Sequence, residues 1–479
     1  MADRPTYDLI VVGSSFASMF FLTRYLELDV LGNRRVLVLE KGKARDHAWI
    51  TRNDRPLRRE SHAAVDFGGS NKKWAVRITL GGASNSWWAC TPRYLPEDFA
   101  LETTYGIGVD WPVRYDELEP FYCEAERIMS VSGSEDSPSP RSEPYPQPPH
   151  RFSLPDQILK RRWGRSFVHQ PNARARLETS RKRAACCAAG TCHVCPADAK
   201  FTILNEMSWL FDDPRVELTT EASVESLDVE AGVVRAVVYH RHGRELKARG
   251  DLIALGANAI FNPFILLKSG LNGPQVGRGL CEQVGINVVA HLYGVDNFQG
   301  STSITGHGYP YYGGTHRSRW AGCLIETWNV PELRHERGKY RHFLRAKFIF
   351  EDFRKSDNRI EISSADPTKP YVVFDSPSDH TMRGIDRVGE LVQAFLAPLP
   401  LEKPPLLSGI PSQDHILGTV VMGDDPRTSV VDRQLVHHQV RNLLVLGGSA
   451  FPTAPPANPT LTIAALSLWS ADRLLGGQT

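Results

Sequence analysis

Long apolar runs are missing from the sequence. None approaches the roughly 20 residues that a bilayer-spanning helix needs, so no membrane span is expected. A surplus of either charge is missing too. The 56 basic and 54 acidic residues are well mixed and leave a formal charge of +2, which gives no reason to expect nucleic acid as a partner. The basic run Arg161–Arg165, with Arg174, Arg176 and Arg181–Arg183, reads as ordinary solvated surface, the alternative being a docking face for an anionic partner or substrate. Nor does a charged leader precede an apolar stretch. The strand-like run Tyr7–Val12 starts almost at once, and a cytoplasmic protein is expected. The eight cysteines are too unevenly spread for a disulfide framework. Four of them, Cys186, Cys187, Cys192 and Cys195, are crowded together, which points first to a metal or iron–sulfur site.

What is present is a chain of 479 residues, 41% apolar, long enough for two or three domains at about 150 residues each. The apolar run Tyr7–Val12 ends at Gly13, a helical pattern runs through Phe16, Met19, Phe20, Leu22 and Leu26, and Arg35–Glu40 reads as a second strand. That is a βαβ unit. Residues 134–149 are rich in Ser and Pro and read as a linker. Strands alternate with turns over 216–256, followed by a helix at Ala259–Leu267. The stretch 290–405 has aromatic and β-branched residues without βα alternation, which suits an antiparallel sheet. Asn442–Gly448 is a further buried strand, and a terminal helix starts near Leu461. Nucleotide-binding strands at both ends and in the middle imply a domain assembled from discontinuous segments.

Gly13-Ser14-Ser15-Phe16-Ala17-Ser18 stands where a G-x-G-x-x-G fingerprint belongs, between a strand and a helix, where a pyrophosphate can lie on free N–H groups. Only its first glycine is there, and a βαβ unit that binds nothing is the alternative. Glu40, ending the second strand, supplies a carboxylate for a ribose hydroxyl.

Several segments together resemble the glucose–methanol–choline (GMC) oxidoreductase family. Leu80-Gly-Gly-Ala-Ser-Asn-Ser-Trp-Trp88, ending in Thr91–Phe99, is similar to its first signature, and Gly256–Leu267 to its second. His415-Ile-Leu-Gly-Thr419, Gly448–Thr453 and Asn458-Pro-Thr-Leu-Thr462 are similar to its C-terminal active-site motifs, and Asp110–Pro120 also fits. Within the family the likeness is greatest to the bacterial gluconate, fructose and glucose dehydrogenase flavoproteins. Those proteins are often exported with a haem subunit, whereas no export signal is visible here.

The resemblance implies an α/β fold, α+β overall, with a Rossmann-like FAD domain. That domain would comprise 1–130, 216–289 and 409–479. Residues 131–215 would form the linker and cysteine region of a substrate domain, and 290–408 its antiparallel sheet. FAD would be held by Gly13, Ser14, Ser15, Glu40, Lys41, Gly81, Gly82, Asn85, Ser86, Gly256, Ala257, Gly448, Ser449, Pro459 and Thr460. The implied activity is oxidation of an alcohol, a sugar, polyol or sugar-derived compound, by proton abstraction and hydride transfer to flavin N5.

Abstracting a hydroxyl proton calls for a base near neutral pKa. By resemblance His415 is that base, and Asn458 orients the substrate oxygen. His437 and His438 read as loop residues. His307, His316 and His380 carry no motif, although His307 or His316 could line a pocket. The segment Cys186-Cys187-x₄-Cys192-x₂-Cys195-Pro196 resembles that of FAD glucose dehydrogenases, in which three cysteines hold a 3Fe–4S cluster. The resemblance implies Cys186, Cys187 and Cys192 as ligands, with Cys195 a fourth ligand or a free thiol. Zinc with His193, or no metal, are the alternatives. A cluster would imply an electron-accepting protein or small carrier. An oxidase using oxygen, and a flavin-binding lyase or scaffold without redox turnover, are the other readings.

Overall fold

The computed structural model describes residues 6–476 apart from 69, 71, 299 and 411. Two sheets organise it. The first has a parallel part in the order Val216–Thr219, Val36–Leu39, Thr6–Val12, then the second half of Arg244–Leu255, with Leu443–Val445 pairing beyond. The central strands are apolar on both faces, the pattern of a covered parallel sheet, while the edge strand Val216–Thr219 leaves Glu217 exposed. Val36–Leu39 is buried throughout, and Phe16–Glu27 packs against Thr460–Leu475. The first half of Arg244–Leu255 turns outward into an antiparallel meander with Val233–Arg241 and Ser223–Glu230.

The second sheet is antiparallel, in the order Leu406–Gly409, Val284–His291, Phe343–Phe350, Cys323–Trp328, Ile304–Tyr311, Phe167–His169. Alternation gives it two faces. Cys323, Ile325, Ala346 and Phe348 pack under the helices Leu154–Trp163 and Val388–Leu396. Glu326, Trp328 and Lys347, on the alternate positions, face the other way. Two expected boundaries fall inside strands of this sheet. Residue 289 lies within Val284–His291 and residue 408 within Leu406–Gly409, so both junctions move to the strand ends. The helices over 379–396 were not read from sequence, nor was the one at His47–Ala63.

The basic run is only partly solvated surface. Arg174 and Arg183 are buried, at 1% and 4% exposure. Arg174 donates to Asn172 Oδ1, Thr302 Oγ1 and the carbonyls of Trp88 and Cys192. Arg183 donates to Met129 O and lies 3.2 Å from Glu206. A guanidinium with five donors suits the junction of several loops.

Candidate active site

A cavity of about 570 Å³ runs from the parallel sheet's C-terminal edge to the loops that carry Cys90, His415 and Asn458. It starts at the turn after the first strand, where ligands of parallel α/β sheets bind. Gly13 has φ +89, and a Cβ there would sit 2.8 Å from Gly256 O. Only glycine fits. The two departures from the fingerprint are matched by glycines elsewhere. A Cβ on Gly82 would lie 2.8 Å from Ser15 Cβ, and one on Gly256 would lie 2.0 Å from Ser18 Oγ. The extra serine atoms therefore fill space that the partner glycines leave.

Ser14 Oγ donates to Glu40 Oε2 at 2.6 Å and accepts from Gly81 N at 2.9 Å, while Gly42 N donates to Glu40 Oε1. Burial pushes the Glu40 carboxyl above its ordinary pKa despite these bonds and lowers that of Lys41, whose ammonium rests over the Phe261 ring. Ser15 caps the helix Phe16–Glu27 with extended backbone but no side-chain bond, so the helix's first N–H groups stay open to an anion. Pro459 and Thr460 start a second helix at the cavity wall.

Among the expected cofactor residues, Gly13, Ser14, Ser15, Glu40 and Lys41 line the cavity on one side. Gly82, Ser86, Gly256, Ala257, Gly448, Pro459 and Thr460 line the rest. Gly81, Asn85 and Ser449 do not. Asn85 ties the loop by donating to Leu80 O, and Ser449 Oγ accepts from Asn262 Nδ2, so both brace the lining. An elongated, largely apolar cavity with two helix N-termini and a buried acid beside the glycine turn fits FAD. Replacing Gly13 by alanine is expected to reduce FAD retention on gel filtration at least tenfold, with flavin absorbance per chain as the readout.

The cavity also brings His415 and Asn458 together, from loops on either side of the strand Leu443–Val445. His415 Nδ1 lies 3.1 Å from Gln283 Oε1, and Gln283 Nε2 donates to the carbonyls of Pro455 and Ala457 at 2.7 and 2.9 Å. Those two bonds fix the amide, so its oxygen must accept from His415. The imidazole then carries its proton on Nδ1 and leaves the Nε2 lone pair free. Burial lowers the His415 pKa to about 4, while Glu326 and Asp414 favour the charged form. Asn458 Nδ2 lies 3.5 Å from Glu326 Oε1, which assigns the nitrogen to that side, and Oδ1 is buried without a partner. Burial works against the Glu326 charge, but His307 and Lys347 outweigh it and hold the carboxyl below its usual range. No motif announces Glu326 or Gln283. Each stands in or beside a strand whose apolar alternation hides it.

The cysteines are placed differently from a ready-made ligand set. Cys186 Sγ donates to Ser301 O, Cys187 is exposed, and Cys192 and Cys195 are buried. Among the described residues these four contribute no group of three ligand atoms within 4.8 Å of one another. Beside them, His193 Nε2 approaches Asp54 at 3.6 Å, and the Trp88 ring lies 5.4 Å from that of His193 and 4.9 Å from that of Trp328. Lys200, buried, binds the carbonyls of Asn85, Trp87 and His193 and so joins the cysteine loop to the cavity loop. His437 is buried at the turn before the strand Leu443–Val445. His380 approaches Glu351 at 3.5 Å, and His316 stacks on Trp320 at 4.0 Å.

This fold and site fit a dinucleotide-binding oxidoreductase. A GMC oxidoreductase family model matches residues 354–467. The fructose dehydrogenase large subunit of Gluconobacter japonicus is 25% identical, covering 98% of this chain and 97% of its own. The 6'''-hydroxyparomomycin C oxidase of Streptomyces lividus is 27% identical over 98% and 91%. The crystal structure of pyridoxine 4-oxidase from Mesorbium loti superposes with a TM-score of 0.70 at 17% identity, covering 98% and 99% of the two chains. Along nearly its whole length the chain is thus similar to GMC oxidoreductases. No helix among the described residues is long and apolar enough to cross a membrane.

Proposed function

We propose that the protein oxidises the CH–OH group of a sugar-like or polyol alcohol, with FAD held in the cavity described above. The observation that carries this reading is the tautomer forced on His415, which leaves a neutral nitrogen free in the same cavity as the unpartnered Asn458 oxygen. Bound FAD supplies a hydride acceptor at its N5. The chain's own residues do the rest. The substrate hydroxyl donates to His415 Nε2, which takes the proton, and the imidazolium formed is stabilised by the nearby Glu326 and Asp414 carboxylates. The Asn458 amide, held by Glu326 on one side, positions the substrate on the other.

Support for a sugar-like substrate comes from the similarity to fructose dehydrogenase and to the paromomycin oxidase. An electron exit through Cys186, Cys187 and Cys192 remains part of the proposal, supported by Arg174, which bridges the carbonyls of Trp88 and Cys192 and so ties the cysteine loop to the cavity. The test is anaerobic mixing of the purified flavoprotein with a panel of hexoses, polyols and amino sugars. Bleaching of the flavin by at least one of them is expected, and no bleaching by any would defeat the reading. Admitting air afterwards separates the acceptors: slow reoxidation favours a dehydrogenase, fast reoxidation an oxidase.

A further inference from the structure

We propose that Cys90, His307 and Glu326 form a zinc site on the substrate side of the cavity. All three are buried, and one ligand atom from each lies within 4.8 Å of the other two. Among the described residues they are the only such group of three. Two further facts point to a ligand rather than to packing. His307 has no solvent exposure, yet neither of its ring nitrogens has a hydrogen-bond partner, and its Nε2 stops 3.8 Å from Glu326 Oε1, too long to be one. Buried imidazole nitrogens without partners are uncommon because losing water without replacement is costly.

The sheet and the loop supply the convergence. His307 and Glu326 are register partners on adjacent strands, Ile304–Tyr311 and Cys323–Trp328, and Cys90 packs with Ile304 and Trp328. With zinc bonds of about 2.0–2.3 Å, the ligand atoms of a tetrahedral site stand about 3.5 Å apart, so the three must close by roughly an ångström. Sulfur, imidazole and carboxylate are a donor set that zinc accepts. Metal binding displaces the thiol proton to solvent, the thiolate and carboxylate together balance the two positive charges, and Asp414 is then the carboxylate left to stabilise the His415 imidazolium. Three protein ligands leave a fourth position for water or a substrate oxygen, the arrangement of catalytic zinc. Cys90 lines the cavity and Glu326 contacts Asn458, so that position faces the alcohol subsite. Two cations lie near the group: Lys347, whose ammonium rests 4.3 Å from the Trp328 ring centre and would turn along the ring, and Arg174, which is held on Thr302 and the Cys192 carbonyl.

The inference rests on the alcohol-oxidation reading only for the role of the open position. The flavoprotein as purified is dialysed against zinc, freed of unbound metal and assayed for metal per chain by mass spectrometry. Wild type is expected to keep about one zinc. Cys90→Ser and His307→Ala, with FAD content checking their fold, are expected to keep at least tenfold less. His242→Ala, at an exposed imidazole of the outer meander, is expected to keep the wild-type amount. Should wild type retain almost none, or the Cys90 and His307 variants retain as much as wild type, the site does not exist. Cobalt loading of wild type gives an independent reading. A thiolate-to-cobalt absorption lost in Cys90→Ser supports the site, and its absence in wild type overturns it. Zinc bound without any bleaching of flavin by alcohols would sink the proposed function and leave the zinc site standing.

Discussion

Replacing His415 by alanine is expected to slow alcohol-dependent flavin reduction by about 10²–10⁴-fold, the usual contribution of a positioned general base. FAD content should stay at the wild-type level, because the side chain approaches Gln283 rather than the glycine turn or Glu40. The pH profile is the sharper reading. A solvent-exposed histidine would give an acid limb near 6.5. His415, lowered by burial to about 4, stays neutral and competent down to that pH, so the limb should appear near 4. The sign follows from the base form being the active one: activity is complete above the pKa and lost below it. Single-turnover reduction measured from pH 8 to pH 4 checks this. A limb near 6.5 that vanishes in His415→Ala would mean that the imidazole is solvated in the working enzyme.

The largest loss of stability is expected from Arg317→Met. Arg317 has no solvent exposure and lies 2.6 Å from both Asp98 Oδ1 and Glu351 Oε2. Asp98 belongs to the segment after the cavity loop and Glu351 follows a strand of the antiparallel sheet, so the guanidinium ties the two halves of the molecule. Removing it leaves two carboxylates buried without their cation, which costs about 3–5 kcal/mol. Thermal melting by circular dichroism should show a drop of several degrees. Acid should weaken the same junction. Burial opposes the Glu351 charge, but Arg317, His380 and the Gly322 amide outweigh it and hold the carboxyl at about 2. A depressed carboxyl pKa contributes stability that is complete above the unfolded value near 4.5 and is lost as pH falls towards 2. Asp98, pushed up by burial, runs the other way and blunts the change.

The meeting of His415 and Asn458 in one cavity was legible because each sits in a short motif whose neighbours, Gly418-Thr419 and Pro459-Thr460, have their own geometric duties. Gly418 has φ +75 and stands 2.2 Å, at its would-be Cβ, from Gly279 O. The parallel strands were legible because burial on both faces leaves unbroken apolar runs. What stayed hidden depends on distant pairing. The incomplete glycine fingerprint looks weak along the chain, and only the fold shows Ser18 set against Gly256 and Ser15 against Gly82. Glu326 and Gln283 become part of the site through their register and their loops, which no local pattern specifies. Arg174 and Arg183 look like surface because composition does not reveal the loop carbonyls that meet over them. The cysteine spacing suggested a ligand set, but the thiol group that the fold does gather with other donors, Cys90 with His307 and Glu326, has members more than 200 residues apart.

The cavity is closed by the strand Leu443–Val445 and the helix Thr460–Leu475, which packs on Phe16–Glu27 at the opposite end of the sequence. A nascent polypeptide emerging from the ribosome therefore exposes the glycine turn long before the segments that complete the cavity wall are made, and until they arrive the apolar sides of both sheets are a burden for chaperones to shield.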